Sequence, residues 1–218
     1  MKRLADLFGA LVGTLILSPL LLSVSAVLLV VGERRVFYRQ RRVGKGGKEF
    51  DLLKFTTMYD SVAARPDGGM AVDTDPEVFP FGRFLRRTKI NELPQLFNVI
   101  RGDMGLVGPR PLTWRTLNKY DPELLETILQ RRPGLTGAAS LVFRDEEEIL
   151  ARAGSNRAEV FNTQIIPRKQ RIEAEYAANA SLMLDVKIVL ATAFSVLLPS
   201  SDVPRKLLPD LYEAKEGL

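Results

Sequence analysis

The sequence predicts an α+β chain: a membrane-seated N-terminal helix, then a mostly helical cytoplasmic domain with short strands and amphipathic helices at the bilayer interface. Three observations carry that prediction. Leu7–Val31 holds no charged residue, and at about 1.5 Å per residue it is long enough for a hydrocarbon core of roughly 30 Å. Val36–Met58 alternates apolar and basic residues around a glycine cluster, the pattern of two paired extended segments. Beyond it, capped and apolar-periodic stretches recur to Leu198. The boundaries that follow are 1–35 for the anchor, 36–200 for the main domain and 201–218 for a proline-punctuated tail.

The N-terminal segment admits three readings. A cleaved leader is suggested by Lys2 and Arg3 before an apolar run and by Val24-Ser25-Ala26, but the run continues through Val27–Val31. A spanning helix is the ordinary expectation, and Gly9 and Gly13 have the spacing of a dimerising one, which leaves a homodimer open. A re-entrant helix is favoured by Ser18-Pro19 near its middle, where proline removes a hydrogen bond and bends the chain. Both flanks are basic, Lys2 and Arg3 before and Arg34, Arg35, Arg39, Arg41 and Arg42 after. A straight crossing would put one basic flank outside, against the positive-inside tendency.

The elements after the anchor follow in order. Val36–Met58 reads as two short strands or extended segments about Gly44–Gly47, a basic hairpin suited to an anionic lipid surface. Ser61–Pro80 is a surface loop in which Asp73 and Asp75 are turn residues rather than metal ligands. Asn91 is an N-cap, with Glu92, Leu93 and Pro94 opening a helix that runs to about Ile100 and stops at Gly102. Glu92 then sits at the positive end of that helix, close to Arg86, Arg87 and Lys89, and stays ionised. Asp121–Gln130 is a short helix opened by Pro122, Arg131–Gly137 a tight turn, and Asp145–Arg152 an acidic-capped helix. Ile172–Leu198 is largely helical, and its uncharged part, Ile188–Leu198, is too short to cross a bilayer.

Composition narrows the chemistry. The net charge is +5 and the isoelectric point near 9.6, which points to acidic partners. The positive charge flanks an apolar segment and no recognised motif appears, so nucleic acid is not among them. The chain has no cysteine and no histidine, which excludes disulfides, thiolate metal sites and histidine-based nucleophilic catalysis. Carboxylates, lysines, arginines and a hard cation remain.

The string Arg86–Pro111, RRTKINELPQLFNVIRGDMGLVGPRP, closely resembles the signature of the bacterial sugar transferases, the small monotopic polyprenyl-phosphate phosphoglycosyl transferases. The resemblance extends to VFYRQRRVGKGGKEFDLLKFTTM, to RPGLTG (Arg132–Gly137) and to Tyr176 and Asn179 in YAANAS, and covers nearly the whole chain. It implies a re-entrant helix broken at Ser18-Pro19, on the cytoplasmic face of a bacterial inner membrane. It implies transfer of a sugar 1-phosphate from a UDP-sugar to undecaprenyl phosphate among the membrane lipids, with release of UMP. Lys54, Arg86, Arg110 and Arg132 would hold phosphates, Glu92 would hold magnesium (Mg2+), and Tyr176 and Asn179 would be structural. Three departures stand out. Thr56 replaces a basic residue, VFRDEEE (142–148) replaces a VNGR form, and Asn91 replaces the aspartate that attacks the nucleotide sugar in better-known members. An amide cannot be that nucleophile. Glu92 takes its role, or transfer is direct, or the chain is an inactive scaffold or regulator of the same fold.

Overall fold

The computed structural model describes residues 1–59, 77–198 and 201–213. Most of the expected Ser61–Pro80 loop, with Asp73 and Asp75, lies outside them. The helices are α1 (Lys2–Leu28), α2 (Pro80–Arg87), α3 (Gln95–Arg101), α4 (Trp114–Leu117), α5 (Pro122–Leu129), α6 (Ala138–Val142), α7 (Glu146–Arg152), α8 (Arg157–Val160), α9 (Ile166–Asn179), α10 (Leu182–Leu197), α11 (Val203–Leu207) and α12 (Pro209–Glu213). The strands are β1 (Phe37–Val43), β2 (Glu49–Phe55), β3 (Gly105–Val107) and β4 (Gly134–Thr136). The first two pair antiparallel and the last two parallel, so the chain is mostly helical with a few short strands, as the sequence implies.

The α1 helix is long and apolar enough to cross a membrane, with mean hydropathy 2.2. It is one helix through Pro19, and it packs along the domain. Its first turns are pinned by polar contacts. Lys2 Nζ pairs with Asp185 and donates to Val107 O at 3.1 Å and to Tyr176 Oη at 3.2 Å. Arg3 donates to Val99 O and Ile100 O, at the end of α3, and Asp6 Oδ1 accepts from Leu106 N at 3.0 Å. Further along, Ala10 joins Phe50, Leu52, Leu96 and Val99 in one core cluster. At its C-terminal end Leu21, Val24 and Leu28 join Phe55, Phe79 and Leu85 in another. Gly9 and Gly13 face the same chain: a Cβ on Gly9 would come within 2.6 Å of Leu106, and one on Gly13 within 3.8 Å of Leu96. Their spacing therefore serves packing on β3 and α3 within the chain.

One expectation about a helix end needs correction. The helix expected from Glu92 begins at Gln95, preceded by a 3₁₀ turn over Ile90–Glu92, and Asn91 makes no capping bond. The reason is Pro94. It has no N–H to give Ile90 O, which accepts from Leu93 N at 3.1 Å in the tighter pairing instead. Ile172–Leu198 is largely helical, as expected, in two helices, α9 and α10, separated at Ala180-Ser181, where Ser181 Oγ accepts from Leu184 N and caps α10. The expected stop at Gly102 and the Asp121-Pro122 start of α5 are both present: Gly102 is left-handed at φ 95°, and the Asp121 carboxylate accepts from Glu123 N and Leu124 N.

Candidate active site

The hairpin supplies one wall of the site. Register pairs Tyr38 with Lys54, Gln40 with Leu52 and Arg42 with Phe50, so these six side chains share a face. The α3 helix is fastened to the exit of that hairpin by Asn98, fully buried, whose amide accepts from Leu53 N at 2.9 Å and donates to Asp51 O at 2.7 Å. This one side chain fixes the turn bearing Glu92 relative to the strand bearing Lys54. Lys89, immediately before that turn, is left-handed at φ 58°, a conformation costly for a residue with a Cβ.

The third wall comes from the two glycine-bearing segments. Gly105 pairs with Gly134 and Val107 with Thr136. The backbones approach so closely that a Cβ on Gly108 would lie 2.3 Å from Arg132 O, and one on Gly134 2.0 Å from Gly108 N. Gly134 N also donates to Pro109 O. The result is a braced loop that presents Arg110.

These walls converge on Glu92. Lys54 Nζ donates to Glu92 Oε1 at 3.2 Å, and Arg110 Nη2 lies 3.8 Å from the same oxygen. The Glu92 and Lys54 side chains are 21% and 19% exposed and that of Arg110 is 42%, so the cluster is recessed but open. Burial opposes the charge of Glu92, but Lys54, Arg110 and Lys89 outweigh it and hold its carboxyl at about 2. Glu92 is ionised, as the sequence implies, through these side-chain cations rather than a helix end. Burial lowers the Lys54 ammonium, with Glu92 acting the other way and Arg110 and Arg42 assisting.

Arg86 Nη1 lies 3.7 Å from Met58 Sδ. Arg132 is exposed and its Nε donates to Gly102 O at 2.9 Å, closing the end of α3. Asn91 is buried with its Oδ1 unpartnered, and Thr56 is buried with its Oγ1 unpartnered. Ser18 Oγ donates to Leu15 O on the exposed side of α1, one turn before Pro19 is passed.

Sequence reasoning missed a layer behind Arg110. Glu173 on α9 is 3% exposed, and its Oε1 accepts from Arg110 N at 3.0 Å. Burial pushes its carboxyl up to about 7 against the pull of Arg110 and Lys169. Beside it Lys169 pairs with Glu146 of α7. Tyr176 Oη donates to Asp185 Oδ1 at 2.6 Å and Asn179 donates to Glu175 O, the structural roles expected of them. Arg42 was also missed as a neighbour of Lys54. The signal was available: a hairpin closed at Gly44–Gly47 with Val43 opposite Glu49 puts residues 38, 40 and 42 on the face of Lys54.

The family model described as bacterial sugar transferase matches residues 1–199. A UDP-glucose:undecaprenyl-phosphate glucose-1-phosphate transferase of Caulobacter vibrioides is 38% identical over 200 residues, covering 90% of this chain and 69% of that protein. The exopolysaccharide production protein ExoY of Rhizobium meliloti is 34% identical, covering 90% of this chain and 85% of that one. A UDP-glucose:undecaprenyl-phosphate glucose-1-phosphate transferase of Xanthomonas campestris pv. campestris is 33% identical over 90% of this chain, which spans 38% of that longer protein. With its family model matched along nearly the full length, and with two relatives matched over more than two thirds of theirs, this chain belongs to the bacterial sugar transferase family.

Proposed function

We propose that this chain transfers a sugar 1-phosphate from a UDP-sugar to undecaprenyl phosphate, giving a polyprenyl diphosphosugar and UMP, as the first membrane step in assembling an exopolysaccharide or related glycan. The observation that carries the reading is the recessed Lys54–Glu92–Arg110 cluster. It combines an ionised carboxylate with cations that match phosphate oxygens. Phosphoryl transfer asks the protein chiefly for positioning and charge neutralisation. Here Glu92 attacks the sugar-bearing phosphorus, the bond to the UMP oxygen breaks, and UMP departs with that electron pair. An oxygen of undecaprenyl phosphate then displaces Glu92 and completes the diphosphate. Lys54 and Arg110 hold the phosphoryl oxygens through both steps.

Magnesium fits this site as an ion that comes with the diphosphate. It prefers oxygen ligands and is commonly held by one or two carboxylates with phosphates completing the set. Among the described residues there is no cluster of three or more metal-ligating side chains. Glu92 would hold the ion, and the neighbouring Asn91 offers a buried, unpartnered amide oxygen. When bound, it would neutralise charge on the transferring phosphate.

The protein sits as a monotopic protein on the cytoplasmic face of the bacterial inner membrane. Both ends of α1 are held by one globular body, through Lys2 and Asp185 at the start and through Leu28 with Phe55 and Phe79 at the end, which favours both flanks on one side. Its outward face is apolar, with Phe8, Leu15, Ile16 and Leu22 largely exposed, as are Met183 and Leu197 on α10. That apolar surface suits immersion beside a polyprenyl chain.

The deciding experiment supplies detergent-solubilised protein with magnesium, undecaprenyl phosphate and a panel of UDP-sugars, and measures UMP. Peptide mass after incubation with UDP-sugar alone locates any phosphosugar adduct. An adduct on Glu92 is expected. UMP release without one means direct transfer, and no UMP from any donor means an inactive scaffold.

A further inference from the structure

Arg42 carries a charge that the fold does not answer. Its Nη2 donates to Gln40 Oε1 at 2.7 Å, while its Nε is buried with no hydrogen-bond partner. Among the described residues, no carboxylate forms an ion pair with it. Burial, and next the like charge of Arg110, pull its guanidinium down to about 10, with Glu92 and Tyr38 acting the other way. A guanidinium retained for packing normally has its N–H groups satisfied by carbonyls or carboxylates. Here the one side-chain acceptor, Gln40, fixes the plane of the fork and leaves Nε unused.

The surroundings say what the fork awaits. Arg42 lies on the face shared by Tyr38, Gln40 and Lys54, and it acts electrostatically on Lys54. Around Glu92, Arg42, Lys54, Lys89 and Arg110 set four positive charges against one negative. That cationic surplus suits a phosphate-bearing substrate, and a planar fork takes phosphate oxygens in pairs.

We propose that Arg42 is a substrate phosphate-binding residue, its guanidinium oriented by Gln40 to take a phosphoryl oxygen. This rests on the phosphosugar-transfer reading above. The phosphate comes either from the nucleotide sugar or from the polyprenyl acceptor, and varying one substrate at a time distinguishes them.

The test compares wild type, Arg42→Gln and Arg42→Lys in detergent. It measures Tm without ligand, UDP affinity by calorimetry, and KM for each substrate. Because the cation is uncompensated, Arg42→Gln is expected to keep or raise the ligand-free Tm. The KM for one substrate should rise about tenfold or more, and Arg42→Lys should recover only part. A higher UDP-sugar KM with weaker UDP binding assigns the nucleotide diphosphate; a higher undecaprenyl phosphate KM with unchanged UDP affinity assigns the lipid phosphate. Unchanged affinity and unchanged KM values overturn the inference, whatever happens to Tm. Where Arg42→Gln loses both stability and affinity, added guanidinium decides: restored binding supports the role and unrestored binding overturns it. A wild type that releases no UMP from any donor refutes the transfer reading. In that case the UDP calorimetry alone decides Arg42: affinity lost in Arg42→Gln sustains it as a phosphate ligand, and equal affinity overturns it.

Discussion

Glu92→Gln tests the electrostatic account of the site without a substrate. The substitution keeps the shape and an acceptor for Lys54 but removes the charge. A preference of tenfold for the ionised form is worth about 1.4 kcal/mol. A carboxyl brought from its ordinary 4.5 to about 2 therefore stabilises the fold by about 3 kcal/mol at neutral pH. The side chain is 21% exposed, so solvent screening removes little of this. The folded value lies below the unfolded one. The stabilisation is thus complete above pH 4.5, and it is lost as pH falls from there towards 2. For a chain of this length each kcal/mol moves Tm by about 2–4 °C, so Glu92→Gln should lower Tm by roughly 6–12 °C at pH 7. Thermal unfolding in detergent, followed by circular dichroism at pH 7, 5.5, 4 and 3, is the assay. The gap between wild type and variant should hold from pH 7 to 5.5 and shrink below 4.5. A gap of the same size at pH 3, or a variant more stable than wild type at pH 7, would refute the reasoning.

Truncating Lys54 or Arg110 should reduce kcat/KM for UDP-sugar by about tenfold or more, since charge-assisted hydrogen bonds contribute about 1.5–3 kcal/mol; Arg110→Lys should fall short of wild type because lysine lacks the fork. EDTA should abolish UMP release and added magnesium should restore it, whereas full activity in EDTA removes the ion from the reaction. Asn91→Ala should keep measurable turnover if Glu92 is the nucleophile, while an inactive wild type rescued by Asn91→Asp assigns that role to the missing aspartate. Asp185→Asn should lower Tm, because it leaves Lys2 and the Tyr176 hydroxyl without their shared carboxylate, and equal melting of variant and wild type would deny that lock any weight.

Local chemistry made the elements legible. The glycine turn at 44–47, the cap at Asp121 and the stop at Gly102 each rest on a few adjacent residues, and the alternation in Val36–Met58 showed the hairpin. Lys54, Glu92 and Arg110, 56 residues apart from first to last by number, were assigned to one site by resemblance and do meet there. What stayed hidden depends on contacts between distant segments. Nothing around Asn98 announces that its amide closes the backbone of Leu53 and Asp51. Nothing around Glu173 announces that it holds the backbone of Arg110. Nor does the sequence around Arg86 and Arg132 announce that the first reaches Met58 Sδ and that the second donates to Gly102 O at the end of α3.

The same contacts join the membrane segment to the chemistry. Asp6 and Lys2 of α1 bind Leu106 N and Val107 O, on β3. That strand leads within three residues to Arg110, whose backbone is held from the other side by Glu173. Arg3 meanwhile holds the last carbonyls of α3, the helix that follows the Glu92 turn. The position of α1 is therefore imposed on both the carboxylate and the cation of the candidate site. An anchor tethered through a linker would bring a soluble enzyme near its lipid substrate and do no more. An anchor packed into the core also fixes the height of Glu92 and Arg110 above the apolar face of α1.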